Sequence, residues 1–148
     1  MPTKDKISEI LGIETKEVQD IHEKASPINY YQVVRKGFPV EALVQVARYY
    51  EIPKSRMAIL VGTSERTLDR LKKKQEPLNP SASDRLYRFA RMAARANEIF
   101  ESAETARKWL KRPNRALEGV APVDLLDTDA GSQQVDDLLT RIEYGVYS

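Results

Sequence analysis

KSRMAILVGTSERTLDRLKK, residues 54–73, has the spacing of two short helices that cross steeply through a tight turn. Ala58 falls where the helices come closest and a larger side chain would push them apart. Gly62 supplies a left-handed turn residue, a conformation that costs a side-chain-bearing residue about 1 kcal/mol or more. Met57, Val61, Leu68 and Leu71 form a shared apolar seam, and either Thr63 or Ser64 can cap the second helix. That leaves Glu65, Arg66, Asp69, Arg70 and Lys73 on its outward face, with the size and charge to enter a major groove. The division of labour follows from side-chain chemistry. Arg66 and Arg70 fit guanine O6 and N7 bidentately, while Lys72, Lys73 and Lys74 suit phosphates, which contribute affinity without sequence information. Ser64 suits either target and Thr67 shares the face. Glu65 and Asp69 either accept from cytosine N4 or hold the neighbouring arginines in place, and the spacing does not choose between these.

Outward from this motif the chain reads as all-α, since no stretch alternates apolar and polar residues for long. The spacing predicts a short helix over about 5–11 ending at Gly12, and a second starting at Thr15 with Val18, Ile21 and Ala25 on one stripe. A third covers 28–36 with Tyr30, Val33 and Val34, closed by Gly37. Pro39 and Pro53 occupy first-turn positions of the next two helices, the earlier of which packs Leu43, Val46, Ala47 and Tyr50. The segment from Pro77 to Pro80 is a corner or linker, followed by a long amphipathic helix over about 83–101 that turns Leu86, Phe89, Ala90, Ala93 and Phe100 inward. Ser102 can cap a further helix with Ala106, Trp109 and Leu110, where Trp109 reads as a core anchor. Two modules follow, 1–79 around the helix-turn-helix and 80–148 as a helical C-terminal domain.

Charge divides along the chain. Residues 1–53 carry seven Lys/Arg against eight Asp/Glu, 54–112 carry fifteen against seven, and 113–148 carry two against seven, or net −1, +8 and −5. A basic middle beside an acidic end implies a polyanionic partner for one and a cationic surface for the other. Cysteine is absent and His22 is the single histidine, which excludes a disulfide framework, a zinc finger and a Cys-His nucleophile pair, so no metal or cofactor is expected. The carboxylates fall on solvated helix faces, and neither a nucleophile-base pair nor a phosphate-binding glycine loop occurs, which argues against an enzyme. No apolar run approaches a membrane span and the N-terminus lacks a signal-peptide layout, so the expectation is a cytoplasmic protein. Tight DNA binding by so small a module needs two half-sites, hence a homodimer or higher homo-oligomer.

From Asn114 the chain reads NRALEGVAPVDLLDTDAGSQQVDDLLTRIEYGVYS. Pro122 opens a short helical turn, and a final helix over about 129–143, with its N-terminus at Asp129, stacks Val135, Leu138, Leu139 and Ile142. Gly145 can end it, leaving Val146, Tyr147 and Ser148 as a partly apolar tail. The motifs NRALEG, PVDLL, T-x-x-G at Thr128–Gly131 and V-x-x-L-L-x-R-I-E-Y-G at Val135–Gly145 resemble the C-terminal domain of Xre-type antitoxins of RES-Xre toxin-antitoxin modules, the MbcA/ParS/Xre family. The upstream elements stand in the family's order, and Glu118 departs from the glycine that often precedes Gly119.

The resemblance implies an antitoxin that binds a cognate RES-domain toxin, an enzyme that consumes NAD, and that represses its own promoter DNA. It also implies that the C-terminal end approaches the toxin's NAD pocket through Arg141, Glu143, Tyr144, Gly145, Val146, Tyr147 and Ser148. Glu143 and the terminal carboxylate would occupy positive groups there, and Tyr144 and Tyr147 would stack in the ring-binding parts. Two alternatives stay open: that Tyr144 merely packs against Trp109 to fold the domain, and that the chain is a stand-alone helix-turn-helix regulator without a toxin.

Overall fold

A computed structural model of the chain describes residues 2–13 and 29–145, with side chains from Lys6 onward. The described residues form α1 (Pro2–Leu11), α2 (Tyr30–Lys36), α3 (Val40–Tyr50), α4 (Lys54–Leu60), α5 (Glu65–Lys74), α6 (Pro80–Phe100), α7 (Ala103–Lys111) and α8 (Asp129–Glu143). Two 3-10 turns, Arg115–Leu117 and Pro122–Leu125, link α7 to α8. No strand occurs among the described residues, only an isolated bridge between Asn114 and Val120, so the architecture is all-α. The helix expected from Thr15 through Ala25, with His22, lies outside the described residues.

Helix α6 is the axis. Ala82, Leu86, Phe89, Ala90, Met92, Ala93, Ala94 and Ala96 are all buried on it, and α1, α2, α3, α7 and α8 pack around it. The run of alanines explains how so many neighbours fit: small side chains let helix axes approach on several sides, and Leu86, Phe89 and Met92 fill the spaces between. One apolar cluster therefore runs from Ile7 to Leu139 and passes the expected division at 79/80 without a gap. Residues 77–80 form a corner. Leu78 is buried and its N–H donates to Phe38 O at 2.9 Å, so the chain turns into α6 under restraint.

Element boundaries differ from expectation where proline and capping residues meet. Helix α6 starts at Pro80, not near 83, because Asn79 Oδ1 accepts from Ala82 N–H at 2.8 Å and Pro80 takes the first helical position, where its missing donor costs nothing. Pro39 and Pro53 are themselves the N-caps of α3 and α4, with extended backbone, one place earlier than expected. Ser102 caps α7 as expected, accepting from Thr105 N–H at 3.1 Å.

Two sets of polar contacts fix the packing around α3. Tyr50 is fully buried, packs edge-on against Phe89 and donates its hydroxyl to Phe89 O at 2.7 Å. Burial pushes its ionisation well above the usual value of 10.0. Helix α7 is pinned to the C-terminal end of α3 by Arg107, which donates to Tyr49 O at 2.5 Å and lies 3.5 Å from Glu51, and by Lys111, which donates to Glu51 O at 3.1 Å. Both cations face the partially negative end of α3, where they are favourable.

Candidate functional site

The helix-turn-helix is built by α4, the turn at 61–64 and α5. Met57, Ala58, Val61 and Leu68 are buried as the spacing requires, and Leu71 is half-buried against the same core. Thr63 N–H donates to Ala58 O at 2.8 Å, which closes the turn, and Gly62 adopts φ +85°. A Cβ there would also meet Arg85 Nη1 at 2.6 Å, but that is the end of a flexible side chain, so the backbone conformation is the main reason for glycine.

Of the two candidate caps the structure selects Ser64, whose Oγ accepts from Thr67 N–H at 3.1 Å and lies 3.1 Å from Thr67 Oγ1. Ser64 and Thr67 thus begin α5, and Thr67 is partly covered. Glu65, Arg66, Asp69, Arg70, Lys72, Lys73 and Lys74 are all exposed. Neither arginine nor any of the three lysines has an ion-pair partner among the described residues, so Glu65 and Asp69 do not hold the arginines in this structure. Five cations are left to act outward from one helix.

The C-terminal unit explains its own motifs. Asn114 Oδ1 accepts from Ala116 N–H at 2.9 Å and Asn114 O accepts from Gly119 N–H at 2.8 Å, so NRALEG is a closed loop. Glu118 has φ +57°, the left-handed region, where a glycine would sit without strain. In T-x-x-G, Thr128 Oγ1 accepts from Gly131 N–H at 2.9 Å, so Thr128 caps α8 and Asp129 stands in its first turn. Gly131 is required by contact: a Cβ would lie 2.1 Å from Leu125 O.

At the far end of α8, Arg141 is exposed and Tyr144 is 73% exposed. Tyr144 does not pack on Trp109, whose ring meets Phe100 at 5.6 Å between centroids. Glu143 lies 3.5 Å from Arg95 Nη2, and Arg95 also pairs with Asp136 at 2.7 Å and donates to Thr140 Oγ1 at 2.6 Å. Arg95 of α6 therefore clamps three residues of α8, and Glu143 is already partly engaged within the chain. Gly145, at φ +69°, follows the helix end, while Val146, Tyr147 and Ser148 lie outside the described residues.

Further long-range links have no counterpart in the local spacing. Arg56 of α4 pairs with Asp124 of the second 3-10 turn at 2.7 Å, and Arg88 of α6 donates to Leu126 O at 3.0 Å. The first fastens the helix-turn-helix to the C-terminal unit and the second fastens α6 to it, and partners 68 and 38 residues apart leave no local signal. No group of three or more His, Cys, Asp or Glu suited to a metal occurs among the described residues, and none of the described helices is long and apolar enough to cross a membrane.

Two family models match the chain. A family model described as the antitoxin Xre/MbcA/ParS C-terminal toxin-binding domain matches residues 95–145, and one described as the antitoxin Xre-like helix-turn-helix domain matches residues 30–91. Over 127 residues the chain is 33% identical to antitoxin Xre of Pseudomonas putida, covering 85% of this chain and 78% of that protein. It is 30% identical over 116 residues to antitoxin Xre of Yersinia enterocolitica, 78% of each chain. A protein of Sphingobium sp. named Prs ADP-ribosylating antitoxin is 25% identical over 134 residues, 84% of each.

Proposed function

On the premise that this chain belongs to the Xre/MbcA/ParS antitoxin family, an antitoxin with a helix-turn-helix domain, we propose that it silences a RES-domain toxin that consumes NAD and represses its own promoter. The chain does so by binding and catalyses nothing itself. It acts as a homodimer, so that two copies of α5 read two half-sites about one helical turn apart. Arg66 and Arg70 read base edges, with Glu65 available to accept from cytosine; Lys72, Lys73 and Lys74 hold phosphates; Ser64 and Thr67 fix the helix start.

The C-terminal domain covers the toxin's active site with Arg141, Glu143, Tyr144, Gly145 and residues 146–148. The observation that carries this reading is Tyr144, a large aromatic side chain left 73% exposed at the end of a domain matched as toxin-binding. An exposed aromatic beside an acidic and a basic residue has the character of an interface anchor. Arg95 holds Glu143 loosely enough, at 3.5 Å and with 43% of its side chain exposed, for a stronger cation in the toxin to compete for it.

Co-expression of the chain with a candidate cognate RES-domain toxin, followed by size-exclusion chromatography and light scattering, tests the proposal. A stable complex containing two or more antitoxin copies is expected. A monomeric antitoxin that elutes apart from the RES protein overturns it.

A further inference from the structure

Between residues 113 and 148 the chain has only two basic side chains, Arg115 and Arg141, against seven acidic ones. Both line the same cavity, although 26 positions apart in sequence. The cavity, about 610 Å³ and open to solvent, has an apolar floor of Phe100, Trp109, Leu138 and Ile142. Its volume is within the ~300–1,000 Å³ typical of ligand-sized clefts. Both arginines are exposed and neither has an ion-pair partner among the described residues.

The nearby acids are turned elsewhere. Asp136 and Glu143 face Arg95, Asp124 faces Arg56, and Asp137, one helical turn before Arg141, accepts from Gln133 Nε2 at 3.1 Å. An i,i+4 Asp–Arg pair is the ordinary local partner for such an arginine, and here it is not made. An apolar floor of aromatic and aliphatic side chains under two unpaired guanidinium groups has the composition of an interface hot spot, where arginine forks a carboxylate while apolar contact excludes water.

We infer that this cavity seats a segment of the toxin that presents an apolar side chain flanked by an Asp or Glu carboxylate. The inference rests on the antitoxin reading and deepens it, because it extends the contact at the end of α8 from Arg141 to Arg115 and the apolar cavity between them and names its chemistry. A protein segment is favoured over a phosphate-rich small molecule by the lining: Phe100, Trp109, Leu138 and Ile142 are large and apolar and only Arg115 and Arg141 are cationic, which suits one carboxylate on an apolar body.

Trp109 is the only tryptophan, so the full chain labelled with 5-fluorotryptophan gives a single fluorine resonance at the cavity floor. Addition of the cognate RES-domain protein should shift or broaden that resonance. Arg115→Ala/Arg141→Ala should weaken complex formation at least tenfold in titration calorimetry, with circular dichroism and melting unchanged, and the Arg115→Lys/Arg141→Lys variant should recover part of the loss. If the unmodified chain binds the RES protein but the alanine variant binds equally well, the inference is wrong while the antitoxin reading stands. If the unmodified chain does not bind that protein, the antitoxin reading fails and takes the inference with it. A resonance that moves with AMP or inorganic phosphate and not with the RES protein identifies a small-anion site and overturns the inference.

Discussion

Helices α5 and α8 both carry charge to the surface, but they hold it differently. On α5 the five cations of the outer face have no internal ion pair, and the helix is attached to the core through little more than Leu68 and half-buried Leu71. On α8 the acids Asp136 and Glu143 are drawn to Arg95, and Val135, Leu138 and Leu139 are all buried. Unpaired, solvated cations project a field over a Debye length of roughly 8–10 Å, which suits a polyanion of any sequence. Charges clamped to a packed helix present a fixed shape, which suits one protein partner. The DNA-facing end is therefore expected to respond to salt, and the toxin-facing end to geometry.

The largest effect expected in solution is on sequence reading. Arg66→Ala/Arg70→Ala should lose about 1–3 kcal/mol of discrimination per arginine in a gel-shift titration, with helical circular dichroism intact. Unchanged operator affinity would remove α5 as the reading element. Next is Arg95→Met, which leaves Asp136 partly buried without its cation and frees Glu143; it should lower unfolding free energy by about 1–3 kcal/mol while DNA affinity stays constant. A fall in DNA affinity of the folded variant would show that the two ends are not separable.

A subtler change is expected from Lys72→Ala, which should weaken binding evenly across DNA sequences and reduce the salt slope by about 1. A sequence-dependent loss would make Lys72 a reader of bases. The smallest effect is Glu118→Gly. Relief of the left-handed backbone, partly offset by glycine's entropy, should raise stability by up to about 1 kcal/mol in chemical denaturation, with neutralisation unaltered.

The sequence was legible where physics is local. Ala58, Gly62 and the four seam positions placed the helix-turn-helix, and the turns at Gly37, Ser102 and Gly145 fell where the residue types require. Proline misled by a few positions: Pro80 signals a start as well as a break, and the local pattern did not show that Asn79 would cap it. What could not be read was contact across the chain. Arg56 with Asp124, Arg95 with Asp136 and Glu143, and the meeting of Arg115 with Arg141 at one cavity depend on how α4, α6 and α8 pack. Charge counts along the sequence showed that the acidic end had two cations to spare but not that they converge. The exposure of Tyr144 was likewise undecided, because RIEYG continues the apolar stripe of α8 through Ile142 and gives no sign of where the helix leaves the core.

The division of labour between α5 and the end of α8 is tested most directly by removal of residues 144–148. Growth rescue from the cognate toxin should be abolished, while promoter binding in a gel-shift titration should match the full chain. Full rescue by the truncated protein would contradict the account.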